Sequence, residues 1–290
     1  MRNPRFQPKR FLKPVYVLRP QQAMFRLRDR SDVSSVTTPW GSKLWIADDA
    51  LGRELRKSGV HELALSELMW RLVKPGDKVV DAGANMGYFA TLLAVRVGQT
   101  GHVAAIEAHP DMATALESNV QRNGATTVDV IAAALSDRAG KVRLAEPDDF
   151  RSNTTGSAVV PSGGMEVPSV TLDDIVGDDT VKLIKLDVEG HEFFALQGAA
   201  RLLHDQRAYH IVFEDHRPLP TDVSRHLEES RYFVFALAAR PHKPELVAPW
   251  DQSARPRWEA PTYIATVRPV ELVQALHPWG WRCLRPGMPV

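Results

Sequence analysis

The sequence predicts an α/β fold in which helices flank a mostly parallel sheet of seven strands. From residue 78 onward, short apolar segments alternate with helical segments, a pattern typical of right-handed crossovers and a parallel sheet. The predicted strands are almost continuously apolar, as expected when helices cover both sheet faces. With 290 residues, of which 44% are hydrophobic and 24% charged, the chain has room for one large domain and an extension.

The individual elements follow from hydrophobic spacing and from turn residues. The predicted strands span residues 79–84, 102–108, 128–135, 181–186, 210–213, 232–238 and 262–267, and the predicted helices span residues 51–70, 88–97, 111–122, 192–203 and 221–230. Helical spacing in the first helix is interrupted near Gly59, and Pro110 opens the third helix. Residues 148–164 are rich in Ser, Thr and Gly and show no periodicity.

Residues 1–50 are predicted to form a basic extension, and residues 51–290 the main domain. Residues 1–30 contain nine basic side chains and one acid, so peripheral contact with an anionic surface is expected alongside the alternative of a solvated tail. Two short apolar segments flank residues 39–42 and predict a small β-hairpin.

Cysteine content and hydropathy argue against disulfide-stabilised and membrane-spanning proteins. Cys283 is the only cysteine, which excludes an intrachain disulfide. The chain contains no apolar run of transmembrane length, and charged residues interrupt the apolar positions near its start. We therefore expect a cytoplasmic protein without a transmembrane segment.

The loop after the first predicted strand resembles a nucleotide-binding turn. Gly83 and Gly87 permit a sharp turn and close approach of the backbone to a ligand. Asp81, just before the turn, is suited to accept hydrogen bonds from a cationic group or to brace the loop. The Gly-x-Gly-x-x-Gly pattern of dinucleotide-binding proteins is absent.

The next two strand ends extend this site, because ligands of open α/β sheets bind beyond the carboxyl ends of the strands. Glu107 follows the second strand and is placed to accept hydrogen bonds from both hydroxyls of an adenosine ribose. Ala134 and Ser136 follow the third strand and are expected to border the adenine, although ordinary packing would also explain them.

Ionisable residues cluster after the fourth and fifth strands. Asp187, Glu189 and His191 follow the fourth strand, and Glu214 and His216 end the fifth. They predict a general-base site, with the two histidines as candidate bases, while helix capping and core packing remain alternatives. A divalent metal is possible but not predicted, because the spacing matches no dedicated metal-binding loop.

Together, these motifs resemble the FkbM family of S-adenosylmethionine-dependent methyltransferases. The resemblance extends roughly over residues 61–214 and rests on His61-Glu62, Asp81 to Tyr88, Glu107 to Pro110, Val170 to Asp174, Lys185 to Glu192, Leu196 to Ala199 and Glu214. It implies a Rossmann-like class I methyltransferase fold, S-adenosylmethionine as donor and S-adenosylhomocysteine as product. It also implies O-methylation of a hydroxyl on a sugar, a glycolipid or another natural product.

The resemblance also implies roles for individual residues. Asp81, Gly83, Asn85 and Tyr88 would bind the methionine part, Glu107 the ribose, and Asp187 would lie beside the transferred methyl. The residues predicted to bind the cofactor are Glu62, Asp81, Gly83, Ala84, Asn85, Met86, Gly87, Tyr88, Glu107, Ala108, His109, Ala134, Ser136 and Asp187, and those predicted for catalysis are Lys185, Asp187, His191, Glu214 and His216.

Several alternatives remain open at this point. N-methylation, or a macromolecular acceptor recruited by the basic arm, would use the same donor. The absence of an Asn-Pro-Pro-Tyr segment after the fourth strand argues against a specific nucleic-acid methyltransferase. The missing dinucleotide pattern disfavours a nicotinamide-dependent oxidoreductase, and the ionisable strand ends disfavour a non-catalytic cofactor-binding protein. Trp250, Trp258, Trp279 and Trp281 could stack on a sugar or pack in the core; the oligomeric state is not predicted.

Overall fold

The computed structural model describes residues 35–46, 49–148, 156–215, 217, 219–251 and 261–285, so predictions for the basic arm, His216 and Trp258 lie outside the described residues. The strands are β1 (Ser35–Thr37), β2 (Lys43–Trp45), β3 (Lys78–Ala82), β4 (His102–Glu107), β5 (Val128–Ala132), β6 (Ala134–Leu135), β7 (Gly140–Ala145), β8 (Ala158–Val160), β9 (Met165–Val170), β10 (Val181–Leu186), β11 (Ala208–Glu214), β12 (Phe233–Ala239), β13 (Pro244–Val247) and β14 (Thr262–Thr266). The helices are α1 (Ala50–Ser58), α2 (Leu63–Leu72), α3 (Tyr88–Val97), α4 (Pro110–Arg122), α5 (Leu172–Val176), α6 (Glu192–Gln197), α7 (Ala200–His204), α8 (Asp222–Glu229) and α9 (Pro269–Leu276).

The central sheet is mostly parallel, as predicted, but within the described residues it has eight strands rather than seven, in the order β13-β12-β14-β11-β10-β3-β4-β5. The five strands from β11 to β5 are mutually parallel, and β14 runs antiparallel to β11. The additional strand is β13, which pairs antiparallel with β12 at the sheet edge. It was missed because it has only four residues and begins with proline, which lacks an N–H group for the ladder.

A second sheet, in the order β6-β9-β7-β8, lies between β5 and β10 in the chain. The single strand predicted over residues 128–135 is therefore two strands, β5 in the central sheet and β6 in the second sheet. The residues between 148 and 164, which show no sequence periodicity, include the short strand β8. Sequence periodicity could not reveal this division, because both strands are apolar and only one residue separates them.

Two breaks divide predicted helices. Gly59 ends α1 in a left-handed conformation with a φ of 71°, so the predicted helix over residues 51–70 is two helices, α1 and α2. Gly198 separates α6 from α7, and a Cβ there would lie 2.1 Å from the carbonyl oxygen of Ser136. Because Gly198 has no Cβ, the helix pair can approach the strand end that carries Ser136. The short helix α5 and the helix α9 were not predicted.

Helices cover both faces of the central sheet, as the apolar strands predict. Val79 belongs to the apolar cluster that includes Leu68 of α2, Leu92 of α3 and Leu116 of α4. The apolar cluster on the opposite face contains Val80, Ile184, Leu196 of α6, Leu202 of α7 and Leu227 of α8. Adjacent residues of β3 thus face opposite layers. Of the helices in the described ranges, none is long and apolar enough to cross a membrane.

The predicted hairpin is confirmed as β1 and β2, paired antiparallel. It packs on the main core, because the Asn119 side chain accepts from the Trp45 N–H at 2.9 Å and donates to the Trp45 carbonyl at 3.0 Å. The division of the chain at residue 50 stays a prediction. The carboxyl ends of β3, β4, β10 and β11 meet at one edge of the sheet, where the predicted site residues converge.

Candidate active site

The loop after β3 packs tightly against the end of β10. Gly83 has a φ of +74°, and a Cβ on it would lie 1.8 Å from the carbonyl oxygen of Asp187. Asn85 also adopts a left-handed backbone conformation, with a φ of 47°, which is uncommon for a residue other than glycine. The backbone between these residues therefore lies closer to the β10 end than any side chain at position 83 would allow.

Asp81 lies beneath this loop and is completely buried. Neither oxygen of its carboxylate has a hydrogen-bond partner among the described residues, and the Lys185 ammonium is 3.9 Å from Oδ1. Burial raises the pKa of Asp81 to about 6, although Lys185 opposes the shift. A buried carboxylate without hydrogen bonds lowers the stability of the fold, so we expect a hydrogen-bond donor of a ligand beside it.

Glu107 joins two of the loops that form the site. Its Oε2 accepts a hydrogen bond from the Asn85 N–H and its Oε1 from the His109 N–H, both at 2.8 Å. Burial raises the pKa of Glu107, whereas these two hydrogen bonds lower it. Each carboxylate oxygen keeps a second lone pair with which it could accept a ligand hydroxyl.

A cleft opens between these strand ends and encloses about 640 Å³ of space, which includes open solvent. It brings together several predicted residues: Gly83, Asn85, Glu107, Ala108, Ala134 and Asp187. Leu135, Leu144 and Val159 give the lining an apolar part, and sequence reasoning missed the last two of them. All three belong to strands of the second sheet, and no sequence signal indicated that this sheet closes over the cleft.

Other predicted cofactor residues do not line this cleft. Tyr88 is buried, and its hydroxyl contacts the backbone N–H of His61 at 2.9 Å and the Ser66 hydroxyl at 2.9 Å. Ala84 and Met86 are buried in the same apolar cluster. The His109 imidazole caps α4 by accepting from the Asp111 N–H. Gly87 caps α3. Any contribution of these side chains to cofactor binding would act through the loops that they support.

Tyr88 instead supports the segment that carries Glu62. Glu62 has a φ of 41°, and its Oε2 is buried without a partner among the described residues. The His61 ring lies between two carboxylates, with Nδ1 2.8 Å from Glu54 and Nε2 3.1 Å from Glu62. Burial lowers the pKa of His61, but the two carboxylates outweigh this effect and raise it to about 10.

Lys185 and Asp187 form the centre of the candidate catalytic group. The buried Lys185 ammonium donates to Asp187 Oδ2 at 2.9 Å and lies 5.2 Å from the centre of the Phe89 ring. Burial lowers the pKa of Lys185, but Asp187 and Asp81 outweigh it and leave the pKa above its ordinary value. Lys185 is therefore a permanent cation that orients Asp187, and it cannot serve as a base at neutral pH.

Two further carboxyls lie near this group, one at the end of β11 and one in the loop after β10. Glu214 ends β11, and burial together with the charges of Glu62 and Asp187 raises its pKa to about 8. Glu189 lies at the open mouth of the cleft with a φ of 51°. Partial burial and the Asp187 carboxylate raise the pKa of Glu189 to about 7.

His191, predicted as a general base, lies on the side of the cleft expected to hold the adenine. Its Nε2 is 3.2 Å from Ser136 Oγ, and its ring stacks on Phe194 with centres 4.7 Å apart. Ser136 itself is buried behind this imidazole. Within the described ranges, no group of three His, Cys, Asp or Glu residues is arranged to hold a metal ion.

Comparison with known proteins identifies the family of this chain. The family model for the methyltransferase FkbM domain matches residues 81–237, which are more than half of the chain. The chain belongs to this family. The predicted family is thereby confirmed, and with it the class I methyltransferase fold that the resemblance implies.

Similar proteins cover parts of the chain. The hexuronic acid methyltransferase AglP of Haloferax volcanii is 29% identical over 159 residues, 53% of this chain and 63% of the relative. A protein-L-isoaspartate O-methyltransferase of Methanococcus aeolicus is 42% identical over 59 residues, 20% of this chain and 27% of the relative. The crystal structure of methyltransferase FkbM from Methylobacillus flagellatus is 16% identical with a TM-score of 0.43, covering 85% of this chain and 58% of that one. The chain thus spans less than two thirds of each of these relatives.

Proposed function

We propose that this protein transfers a methyl group from S-adenosylmethionine to a hydroxyl of a sugar or a related natural product. The observation that carries the proposal is Glu107, whose carboxylate bridges the loops after β3 and β4 at the wall of the cleft. In this position it can accept hydrogen bonds from two vicinal ribose hydroxyls while it holds the Gly83 loop in place.

The residues present fit the donor. Asp81 offers a buried carboxylate without a hydrogen-bond partner in the described chain, which suits the ammonium of the methionine part. Leu135, Leu144 and Val159 give the cleft apolar walls for a flat adenine ring. The bound donor would supply an electrophilic methyl carbon on a positively charged sulfur.

The side chains at the ends of β10 and β11 would then act on the acceptor. Asp187, oriented by Lys185, would accept a hydrogen bond from a neighbouring hydroxyl of the acceptor and so help to align the reacting oxygen with the methyl carbon. As the new O–C bond forms and the C–S bond breaks, the hydroxyl proton would pass to Glu189. A base with a pKa near 7 is well matched to neutral pH, and Glu189 lies at the open mouth where an acceptor would enter.

A sugar-type acceptor is supported by the relative from Haloferax volcanii, which is named as a hexuronic acid methyltransferase. Carboxylates such as Asp187 and Glu189 also suit a polyhydroxyl acceptor, because each oxygen can accept hydrogen bonds from hydroxyls. The proposed acceptor class therefore rests on a named relative and on the donor and acceptor chemistry of the cleft.

Calorimetry with S-adenosylhomocysteine tests the donor. The unaltered protein should bind this product, and NADH should give no heat of binding. Glu107→Gln should weaken binding by about tenfold to a hundredfold, because the amide group would present a donor to a backbone N–H and one acceptor would be lost. The exposed Glu117→Gln on α4 is the matched control and should bind like the unaltered protein.

Binding of NADH in place of S-adenosylhomocysteine would refute the proposal that S-adenosylmethionine is the donor.

The acceptor class is tested by incubating the protein with trideuteromethyl-labelled S-adenosylmethionine and a panel of neutral sugars, hexuronic acids and sugar amines, followed by mass spectrometry. Label found only on amines would contradict O-methylation.

A further inference from the structure

The His191 side chain forms part of the cleft wall, and contacts with Phe194 and Ser136 restrict its position. It immediately precedes α6 and lines the cleft together with Ala134 and Leu135. Its ring lies nearly parallel to that of Phe194, at an interplanar angle of 21°. The stacking contact and the bond to Ser136 restrict rotation of the imidazole, so its remaining polar atom has a defined place.

The hydrogen bonds of Ser136 determine which nitrogen of this ring carries the proton. The Ser136 hydroxyl has one proton, and it donates that proton to Asp137 Oδ1 at 3.0 Å. At the 3.2 Å contact between Ser136 Oγ and His191 Nε2, the imidazole must therefore be the donor. Burial lowers the pKa of His191, so the ring is neutral and Nδ1 carries a lone pair.

That lone pair makes no hydrogen bond with any described residue. The adjoining apolar side chains Leu135, Leu144 and Val159 can accommodate any flat base, but they cannot distinguish its polar edge. Ser157 also lines the cleft, and its hydroxyl, which has no partner among the described residues, can donate or accept. His191 Nδ1 differs from these groups because it is an obligate acceptor.

We infer that His191 is a specificity-determining residue for the nucleobase: Nδ1 accepts a hydrogen bond from the 6-amino group of adenine, while Ser136 holds the ring in the required tautomer. This inference rests on the proposed donor. A base with a 6-oxo group would present an acceptor to this lone pair, leaving both groups without a donor. The site should therefore reject hypoxanthine in place of adenine.

The test compares S-adenosylhomocysteine with S-inosylhomocysteine, its 6-oxo analogue, by calorimetry on the full chain. The unaltered protein should bind the adenine form about tenfold or more tightly, since an unpaired buried acceptor is costly. His191→Gln keeps a donor near the position of Nε2 but lacks an acceptor at Nδ1, and it should lose this preference. His191→Asn places a carbonyl oxygen near the position of Nδ1 and should retain most of it. The exposed His204→Gln is the control and should match the unaltered protein.

The outcomes separate this inference from the proposed donor. If the unaltered protein binds neither compound, the proposed donor is wrong and the inference is overturned with it. If S-adenosylhomocysteine binds but His191→Gln keeps the full preference for adenine, the donor stands and the role of His191 is refuted. An equal loss of both ligands in His191→Gln would also refute it, since that result indicates a role in the shape of the wall alone. Urea denaturation of each variant establishes that it is folded.

Discussion

Replacing Gly83 with alanine perturbs the closest approach in the candidate site. The new Cβ would lie 1.8 Å from the carbonyl oxygen of Asp187, whereas Cβ atoms essentially never come within 3.0 Å of a non-bonded heavy atom from another part of the chain. The obstacle is backbone, which cannot rotate away as a flexible side chain could. Either the loop after β3 or the end of β10 must move, and both carry residues proposed to contact the donor.

Gly124 provides a matched control. Its φ of +60° is close to the +74° of Gly83, but a Cβ on Gly124 would meet nothing within 4 Å. The cost of a left-handed conformation for alanine, about 1–2 kcal/mol, applies to both variants. The restriction of the unfolded chain by alanine also applies to both and cancels in their difference.

The difference between the two variants therefore isolates the steric conflict. Overpacking of this kind costs roughly 1–3 kcal/mol, so Gly83→Ala should lose about 2–5 kcal/mol of unfolding free energy and Gly124→Ala only about 1–2. Urea denaturation measures both values. In calorimetry, Gly83→Ala should bind S-adenosylhomocysteine at least about tenfold more weakly, because displacement of the loop by even a small distance removes charge-assisted hydrogen bonds. Gly124→Ala should bind normally.

Equal stability of the two variants would refute the steric reasoning. Normal binding by a destabilised Gly83→Ala would show instead that the loop adjusts without disturbing the ligand site.

Two further predictions concern buried charges. The pKa of Glu214 is about 8 in the folded protein against an ordinary value of 4.5, so its protonation stabilises the fold fully below pH 4.5 and this contribution is lost as the pH rises through 8. In Glu214→Gln, the unfolding free energy should fall less between pH 4.5 and pH 8 than in the unaltered protein. Urea denaturation at several pH values measures this, and an unchanged pH profile would contradict the raised pKa of Glu214. Glu67→Gln should destabilise the fold by about 3–5 kcal/mol, because it leaves the buried Arg71 guanidinium without its carboxylate partner and weakens the bond from the Cys283 N–H, 2.7 Å from Glu67 Oε2. Thermal and urea unfolding should leave the exposed Glu166→Gln near the unaltered protein, and a similar loss in both variants would contradict the argument.

The convergence of Asp81, Glu107 and Asp187 followed from the sequence, because parallel strands end at one edge of their sheet. Apolar periodicity likewise located the central strands and most of the helices. Short or divided elements were less accessible: β13 has four residues, and the apolar run over residues 128–135 serves two different sheets. The pairing partner of a short strand is a long-range property, which local spacing does not encode.

The directions of side chains also escaped sequence reasoning. Tyr88 has a place in the family motif that suggested cofactor contact, yet its hydroxyl binds the backbone of His61, 27 residues away. Ser136 was expected at the adenine and His191 at the acceptor, whereas in the folded chain His191 lines the cleft and Ser136 lies behind it.

The sequence by itself thus determined the fold class, the family and the group of loops that form the candidate site, because these depend on local turns and on the periodicity of burial. Only the tertiary structure decided which side chains of those loops face the cleft. That choice depends on packing between segments distant in the chain, such as the contact of Gly198 with Ser136 and of Gly83 with Asp187. The loop after Asp81 was recognisable from its residues. Its close approach to the backbone at the end of β10 became visible only in the tertiary structure.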